Sequence, residues 1–352
     1  FWDIEDYIKQ EKQHQWFSKH KRHIQLHGKY LRAKPDIAIL RSNHTALLGF
    51  SDFWSWDIGR GELQSIHYDN VYTSEREIEA GMLQDYPVIL DSGSEVMSDA
   101  LVAGIEQYVR AGGTFIALHN TGRHSLSEAD CWPIQKLTGF KVTSTRADEH
   151  ISFGKDLPVL PGWADLRFEG RGKALDYLRK DYAGENGLHL SPVADGTVSL
   201  ATWDDGTTAL GYRQLGKGRV IVLGSTFWRH AVDSEGVWKE NERISGRFLS
   251  DLLSSLGINR LANSSSNRIW ARKAYTKNGL QDWLLCFNST TDEVTADVSM
   301  AVDKAPEEVV DLHTKAPVPF TYEDGWITIK DVVIGGYETR AFALTLVHPC
   351  QL

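Results

Sequence analysis

The sequence is poor in cysteine and in long apolar runs, and both shortages narrow the classes of protein it can belong to. Only three cysteines occur among its 352 residues, Cys131, Cys286 and Cys350, and their spacing fits neither a metal site nor a disulfide framework. No apolar run approaches the ~20 residues that a membrane span needs. A net charge of -9 argues against a general nucleic-acid binder. We therefore expect no membrane and no nucleic acid among the partners, and no metal or other cofactor.

The start of the chain carries neither an initiator methionine nor a secretory signal. It begins Phe-Trp-Asp, so we expect the natural N-terminus to lie further upstream. For that reason the sequence leaves localisation open. Tryptophan, by contrast, is in surplus, with twelve residues. We expect most of them in the core or at interfaces, although sugar-binding surfaces also favour flat aromatic rings.

The hydrophobic pattern divides the chain into three regions. Residues 1–34 are polar and locally basic, and helix-like spacing at their start predicts one or two surface helices leading into a domain. Residues 35–262 alternate buried-type strands with amphipathic helices, which predicts an α/β domain with a parallel sheet. Residues 263–352 open with a polar linker and then change to an alternating pattern, which predicts a small antiparallel β-sandwich.

Within the α/β region, several elements have clear sequence signals. Ser74 and Glu77 form a capping box for a helix that we expect to run through Leu83. Ser98 caps a longer helix with one apolar face, and Gly112 ends it. Strands and a hairpin are predicted at 36–40, 87–91, 114–118, and 208–212 with 218–223. The apolar spacing from Ile244 to Leu256 predicts a last helix.

In the C-terminal region the predicted strands are short and separated by turn residues. Asn278-Gly279 and Asp324-Gly325 suit tight hairpins. The predicted strands are 269–275, 283–288, 294–300, 326–329 and 339–347.

The turn after the strand 114–118 is the strongest candidate for chemistry. Ligands of parallel sheets bind just beyond the carboxyl ends of the strands, and this turn offers His119, Asn120 and Thr121. It holds no Cys or Ser, so a thiolate nucleophile is unavailable at this point, and Cys131 is expected to be structural. We therefore predict His119 and Asn120 as substrate-binding residues and expect no catalytic residue here.

Two other kinds of chemistry have weaker support. Five histidines might be imagined as a metal cluster, but none of them shows a metalloenzyme spacing, and we expect polar-loop or partly buried roles for them. They are His119, His124, His150, His189 and His230. The sequence contains enough Asp and Glu residues to supply a pair of catalytic carboxylates. However, the usual scaffold of retaining glycosidases is a barrel of ~250 residues, which residues 1–34 cannot hold.

An aromatic segment, GFSDFWSWDIGRG, follows the first predicted strand. It contains Phe53, Trp54 and Trp56. These rings are either a hydrophobic plug over the sheet or sugar contacts, because an indole face stacks on the C–H face of a pyranose. We name all three as candidate substrate-binding residues.

A family resemblance rests on five stretches in this order and spacing. They are 34–40 (KPDIAIL), 88–94 (VILDSGS) with 97–99 (MSD), 106–115 (EQYVRAGGTF), 132–139 (WPIQKLTG) and 216–222 (GKGRVIV). Residues 35–257 resemble the trimerisation domain of family 42 β-galactosidases, which has a glutamine-amidotransferase-like (flavodoxin-like) fold. The stretch around 108–125 also looks like the trehalose-utilisation-type amidotransferase-like proteins. The trailing sandwich resembles the C-terminal β-domain of the family 42 enzymes.

The resemblance implies a non-catalytic region that supports oligomerisation, as a trimer, and can lend residues to a neighbouring subunit's sugar cleft. It implies a carbohydrate and a catalytic barrel, on the same or another chain, as partners. It also implies that the amidotransferase nucleophile is lost. Two alternatives remain open at this stage. One is a stand-alone carbohydrate-binding module, and the other is a sugar-processing enzyme of the trehalose-utilisation type with His119 and His124 at its site.

Overall fold

The computed structural model describes residues 29–48, 63–146, 151–153, 187–203, 205–224 and 244–345. The chain divides into two compact units. One comprises Pro35–Asn259, and the other comprises Phe1–Lys34 together with Arg260–Leu352. Among the described residues, no helix has the length and apolarity that crossing a membrane requires.

The Pro35–Asn259 unit contains strands and short helices in alternation, after a first strand, β1 (Tyr30–Arg32), that belongs to the other unit. Its strands are β2 (Ile37–Leu40), β3 (Asn70–Thr73), β4 (Val88–Asp91), β5 (Thr114–Leu118), β6 (Phe140–Arg146), β7 (Ile151–Phe153), β8 (Gly187–Pro192), β9 (Thr197–Trp203), β10 (Thr208–Leu215) and β11 (Gly218–Leu223). Its helices are α1 (Asn43–Leu47), α2 (Glu75–Glu79), α3 (Asp99–Ala111), α4 (Gln135–Thr138) and α5 (Ile244–Ser255).

These strands form one mixed sheet in the order β3-β2-β4-β5-β11-β10-β8-β6, with β9 paired to both β10 and β7. The first five strands in that order, β3, β2, β4, β5 and β11, run parallel to one another. The next strand, β10, runs antiparallel to β11 and forms a hairpin with it. Apolar side chains of the parallel strands are buried on both faces, as expected for strands covered on each side. The predicted parallel sheet is therefore correct for five strands, and the remainder of the sheet is antiparallel.

Local signals explain where the helices begin and end. The Ser98 hydroxyl accepts a hydrogen bond from the Leu101 amide at 3.0 Å, and α3 ends at Gly112, whose φ of 131° suits glycine. The Glu77 carboxylate accepts from the Ser74 amide at 2.7 Å, as the capping box predicts. The prediction that this helix reaches Leu83 is wrong, because α2 ends at Glu79 and Gly81 follows with φ 69°.

The second unit is built from antiparallel strands. Beyond β1 they are β12 (Ala262–Ser264), β13 (Ile269–Thr276), β14 (Gln281–Asn288), β15 (Val294–Ala301), β16 (Glu308–Asp311), β17 (Ala316–Pro317), β18 (Thr321–Glu323), β19 (Trp326–Ile334) and β20 (Thr339–Thr345). Two sheets result, β1-β13-β14-β20-β16-β17 and β12-β15-β19-β18, and their apolar side chains share one core. Asp324 and Gly325 both have positive φ in the two-residue β18–β19 turn, as the Asp-Gly pair predicts.

The strand β1 corrects one sequence expectation. Residues 1–34 were predicted as a helical lead-in, but Tyr30–Arg32 extend along β13, with Tyr30 opposite Thr276. The ring of Tyr30 lies 5.8 Å from that of Trp283, so the strand is held by side-chain packing as well as by the sheet. Residues 1–28 lie outside the described part.

Candidate functional site

Two loops that leave neighbouring parallel strands are joined into one ledge. Residues 92–97 follow β4, and residues 119–124 follow β5. The Gly122 amide donates to the Ser94 carbonyl and the His124 amide to the Glu95 carbonyl, both at 2.8 Å, and the Met97 amide donates to the His124 carbonyl at 3.0 Å. These bonds extend the sheet beyond its carboxyl edge and fix the loops relative to each other. We call Asp91, Glu95, Asn120, Thr121 and His124, which the ledge gathers, the polar cluster.

Asp91, the last residue of β4, is the most deeply buried member of the polar cluster. Its side chain is fully buried, and its Oδ2 accepts from the amides of Gly93 (2.9 Å) and Ser94 (2.8 Å) and from the Thr121 hydroxyl (2.5 Å). Oδ1 has no hydrogen-bond partner among the described residues. Burial raises the pKa of this carboxyl, against the lowering effect of its hydrogen bonds.

Glu95 lies between the carboxamide of Asn120 and the imidazole of His124. The Asn120 Nδ2 donates to Oε1 of Glu95 at 3.2 Å, and Nε2 of His124 lies 3.9 Å from Oε2. The Glu95 side chain is 17% exposed and that of His124 is 7% exposed, so the carboxylate is the more accessible of the two. The carboxamide oxygen of Asn120 is buried and makes no hydrogen bond within the described residues.

A strained loop fixes the tautomer of the neutral His124 ring. The amide of Asp130 donates to Nδ1 of His124 at 2.9 Å, so the neutral ring carries its proton on Nε2, on the side of Glu95. Asp130 and Trp132 both have positive φ, 54° and 52°, which is costly for residues other than glycine. The side chain of Asp130 also pairs with Arg123 at 2.5 Å.

A glycine makes room for the Asn120 carboxamide. Gly93 has φ 97°, and a Cβ built on it would lie 3.0 Å from Nδ2 and 3.2 Å from Oδ1 of Asn120. The Gly93 position therefore tolerates a side chain poorly, both because of its backbone conformation and because of the amide above it.

The structure brings some of the predicted residues together and leaves others apart. Asn120 lies in the polar cluster, and His119 is partly buried beside it in the turn. Phe53, Trp54 and Trp56 lie outside the described residues. Cys131 is half-buried, and its thiol contacts the Glu128 carbonyl at 3.3 Å.

The imagined histidine cluster has no counterpart in the described ranges. His189 lies on β8, where its Nδ1 is 3.0 Å from an Asp205 oxygen and its ring stacks on Trp203. His150 and His230 are outside the described residues. Across the part of the chain that the structure describes, no three His, Cys, Asp or Glu side chains converge as metal ligands do.

The sequence reasoning missed Asp91, Glu95 and the role of His124. Asp91 and Glu95 follow β4, and His124 comes about 30 residues later, so only the parallel pairing of β4 with β5 makes them neighbours. One signal was available, because Asp91-Ser-Gly-Ser94 places a carboxylate and a glycine at the end of a buried strand. Chemically, Glu95 brings a carboxylate that solvent reaches to this edge of the sheet, since its side chain is 17% exposed, and a carboxylate accepts hydrogen bonds from hydroxyl or amine donors.

Solved structures of glycoside hydrolases contain a region with a similar fold. No protein-family profile matches the chain, and no curated protein matches it. A solved GH42 β-galactosidase from G. stearothermophilus is similar over 89% of this chain and 41% of its own, with 12% identity and a TM-score of 0.60. A β-galactosidase from Bacillus circulans sp. alkalophilus is similar over 90% and 42%, with 14% identity and a TM-score of 0.59.

A second kind of glycosidase has a similar region. The α-L-fucosidase isoenzyme 2 of Paenibacillus thiaminolyticus is similar over 96% of this chain and 52% of its own, with 11% identity and a TM-score of 0.59. The chain thus spans about half or less of the length of the solved structures it matches. Its fold is related to a region of glycoside hydrolases.

Proposed function

We propose that this chain is a non-catalytic, ancillary region of a glycoside hydrolase of the β-galactosidase kind. In this proposal the Pro35–Asn259 unit is a glutamine-amidotransferase-like domain of the trimerisation type, and the second unit is the C-terminal β-domain. The observation that carries it is the match of nearly the whole chain to only about two fifths of solved GH42 β-galactosidases. The hydrolytic carboxylates then belong to a catalytic barrel on the same or another chain.

The residues at the carboxyl edge support a binding role over a catalytic one. The turn after β5 presents His119, Asn120 and Thr121 where an amidotransferase needs its nucleophile. Thr121 is buried, and its hydroxyl is bonded to the Asp91 carboxylate and the Leu118 amide. A hydroxyl held in this way is not available to attack a substrate.

Hydrolysis by the isolated chain tests the proposal. We expect no turnover of aryl β-galactosides by the purified 352-residue chain, because the proposal places both catalytic carboxylates elsewhere. Release of nitrophenol is the measurement. Activity that co-purifies with the chain and disappears on changing a single Asp or Glu in it would overturn the proposal.

The proposal also includes self-association, as a trimer, through the α/β unit. Light scattering over a range of concentrations measures it directly. A species of three times the monomer mass is the expected result. A strict monomer at high concentration contradicts assembly by this chain alone.

The aromatic segment has its own role in the proposal. One of Trp54 and Trp56 reaches a partner subunit's sugar cleft, where burying an indole contributes about 1–3 kcal/mol. In the complete enzyme, Trp54→Ala or Trp56→Ala should raise KM, or lower kcat/KM, about tenfold without unfolding. Loss of thermal stability with unchanged kinetics per folded molecule would instead make the rings part of the core.

A further inference from the structure

In the second unit, the sheet β1-β13-β14-β20-β16-β17 has one face in the core that the two sheets share. We call its other side the outward face. We propose that the outward face is a docking surface and that its occupant is the chain's own N-terminal segment, residues 1–28. This contact does not depend on the proposed function, so either can fail without the other.

The side chains of the central strand, β14, alternate between the two faces. Leu284 and Cys286 point into the shared core, so Trp283, next to Leu284, points to the outward face. Ala274 of β13 and Ala343 of β20 lie directly opposite Trp283 and share its side. The buried cluster on this side consists of Ala274, Trp283, Leu285, Ala341 and Ala343. The outward face is therefore apolar, whereas the solvent side of a sandwich strand is normally polar.

The burial of this cluster requires a cover. Trp283 is only 5% exposed, yet the alanine methyl groups beside the indole are too short to cover it. The ring of Tyr30 meets the indole from the β1 side, at 5.8 Å between centroids, and Leu312 packs from the β16 side. The indole Nε1 is also shut off from solvent and makes no hydrogen bond to the residues that the structure describes. More of the chain therefore lies over the centre of the outward face.

The path of the chain points to the residues that precede β1. Phe1–Lys34 belong to the same compact unit as Arg260–Leu352. Pairing with β13 holds Tyr30–Arg32 at the edge of this sheet, so the segment before Tyr30 leaves from that edge. The strip of β13, β14 and β20 is about 10 Å wide, which a segment of this length easily crosses.

The N-terminal segment has side chains that suit an apolar strip. Its large apolar residues are Phe1, Trp2, Ile4, Tyr7, Ile8, Trp16, Phe17, Ile24 and Leu26. The sequence predicts a helix at the start of the segment, and Ile4 and Ile8 lie one turn apart on it. A helix is about 10 Å across, so it matches the width of the strip, and the alanines of the strip allow a close approach.

Charges favour the first part of the segment as the part in contact. Arg32 lies opposite Ala274, and Arg272 lies opposite Leu285, so both guanidinium groups stand on the outward side of the sheet. All acidic residues of the segment fall within residues 1–11, namely Asp3, Glu5, Asp6 and Glu11. Residues 12–28 carry only basic charges, which the two arginines repel. The acidic start of the segment therefore complements the rim of the outward face.

Photo-crosslinking from the centre of the outward face tests the docking. In the full chain, Trp283→p-benzoylphenylalanine exchanges one large aromatic side chain for another, and mass spectrometry of the irradiated and digested protein locates the new bond. We expect cross-links to residues 1–12 of the same chain. A mixture of unlabelled and isotope-labelled protein distinguishes these from cross-links to a second copy. Val333→p-benzoylphenylalanine, at an exposed position of β19, is the control and should give no cross-link to the segment.

Hydroxyl-radical labelling measures the coverage with Trp283 in place. Labelling increases with exposed area, so uncovering a quarter of an indole that is 5% exposed raises its rate about fivefold. We expect this rise when Ile4→Ser and Ile8→Ser are combined in the full chain. Gln10→Ser, on the opposite side of the predicted helix, is the control and should leave the rate unchanged. Met300, in the shared core, should stay protected in both variants.

Three results would overturn the docking of residues 1–28. One is a cross-link from position 283 to residues 346–352, to the Pro35–Asn259 unit or to a second copy. Another is a probe that reacts only with solvent. The third is labelling of Trp283 that the two isoleucine substitutions leave unchanged. If Met300 is labelled together with Trp283, the variant has unfolded, and the cross-linking result then decides alone.

Discussion

The hydroxyl of Thr121 donates to the buried carboxylate of Asp91 at 2.5 Å and accepts from the Leu118 amide at 2.7 Å. One side chain thus links the turn after β5 to the end of β4. Because Asp91 also receives the amides of Gly93 and Ser94, both loops of the ledge depend on this contact.

Thr121→Val should destabilise the α/β unit by about 1–3 kcal/mol, since it leaves the Leu118 amide and one lone pair of Asp91 unsatisfied in the interior. Urea unfolding at neutral pH measures the loss. Thr121→Ser keeps the hydroxyl and is the matched control. Equal stability of the Val and Ser variants would show that the hydrogen bonds contribute little.

Asp91→Asn should change how stability depends on pH. The folded-state pKa of Asp91 is raised by burial, so stabilisation by the neutral form is present below the unfolded pKa of ~3.9 and is lost as pH rises through the folded pKa. The amide stays neutral throughout. The melting temperature of Asp91→Asn relative to wild type should therefore increase as the pH rises above the unfolded pKa and through the raised folded-state pKa.

Exposed Asp303 provides the control for this experiment. Asp303→Asn should leave the pH profile of the melting temperature almost parallel to that of wild type. A parallel profile for Asp91→Asn as well would mean that burial does not control the ionisation of Asp91.

Gly93→Ala should cost more stability than Gly81→Ala. Both glycines have positive φ, 97° and 69°, but a Cβ meets nothing within 4 Å at Gly81, whereas at Gly93 it lies 3.0 Å from the Asn120 amide. The strained backbone costs on the order of 1–3 kcal/mol in either case, and displacement of Asn120 adds to it only at Gly93. Chemical denaturation of the two variants compares them, and an equal loss would remove Asn120 from the explanation.

Trypsin should cut the native chain after Arg260 and leave two fragments that stay associated, because β1 on the N-terminal fragment pairs with β13 on the C-terminal fragment. Asn259 is exposed and Arg260 half-exposed, and they lie between α5 and β12, which is paired to β15. Mass spectrometry of early digests identifies the cut, and Arg260→Gln is the control that should abolish it. Resistance at this bond while the chain remains native would contradict an accessible link between the Pro35–Asn259 unit and the strands that follow it.

The elements that the sequence predicts best are those with purely local signals. The face of Leu101, Ile105 and Tyr108, with Ser98 before it and Gly112 after it, predicts α3 almost residue for residue. The hairpin β10–β11 follows from Gly216-Lys-Gly218 between two apolar runs. Strand β1 has no such signal, because it is a strand only by pairing with β13, which lies far away in the chain.

The candidate site shows the same division between local and distant signals. Asn120 was predicted because it follows a buried strand directly. Glu95 and His124 were not paired from the sequence, because their approach depends on backbone bonds between two loops and on the positive φ of Asp130. Residue types alone predict neither the backbone hydrogen bonds between the loops nor the positive φ at Asp130.

The pairing of β1 with β13 makes the α/β unit an insertion within the second unit. During synthesis, β1 leaves the ribosome long before the strand that it pairs with, so the second unit completes its sheet only after the inserted unit has been made. Folding of the inserted unit then brings nearer the two ends that must meet, which shortens the loop that β1 and β13 have to close. A gene truncated before β13 would leave β1 without its partner strand, however well the inserted unit folds.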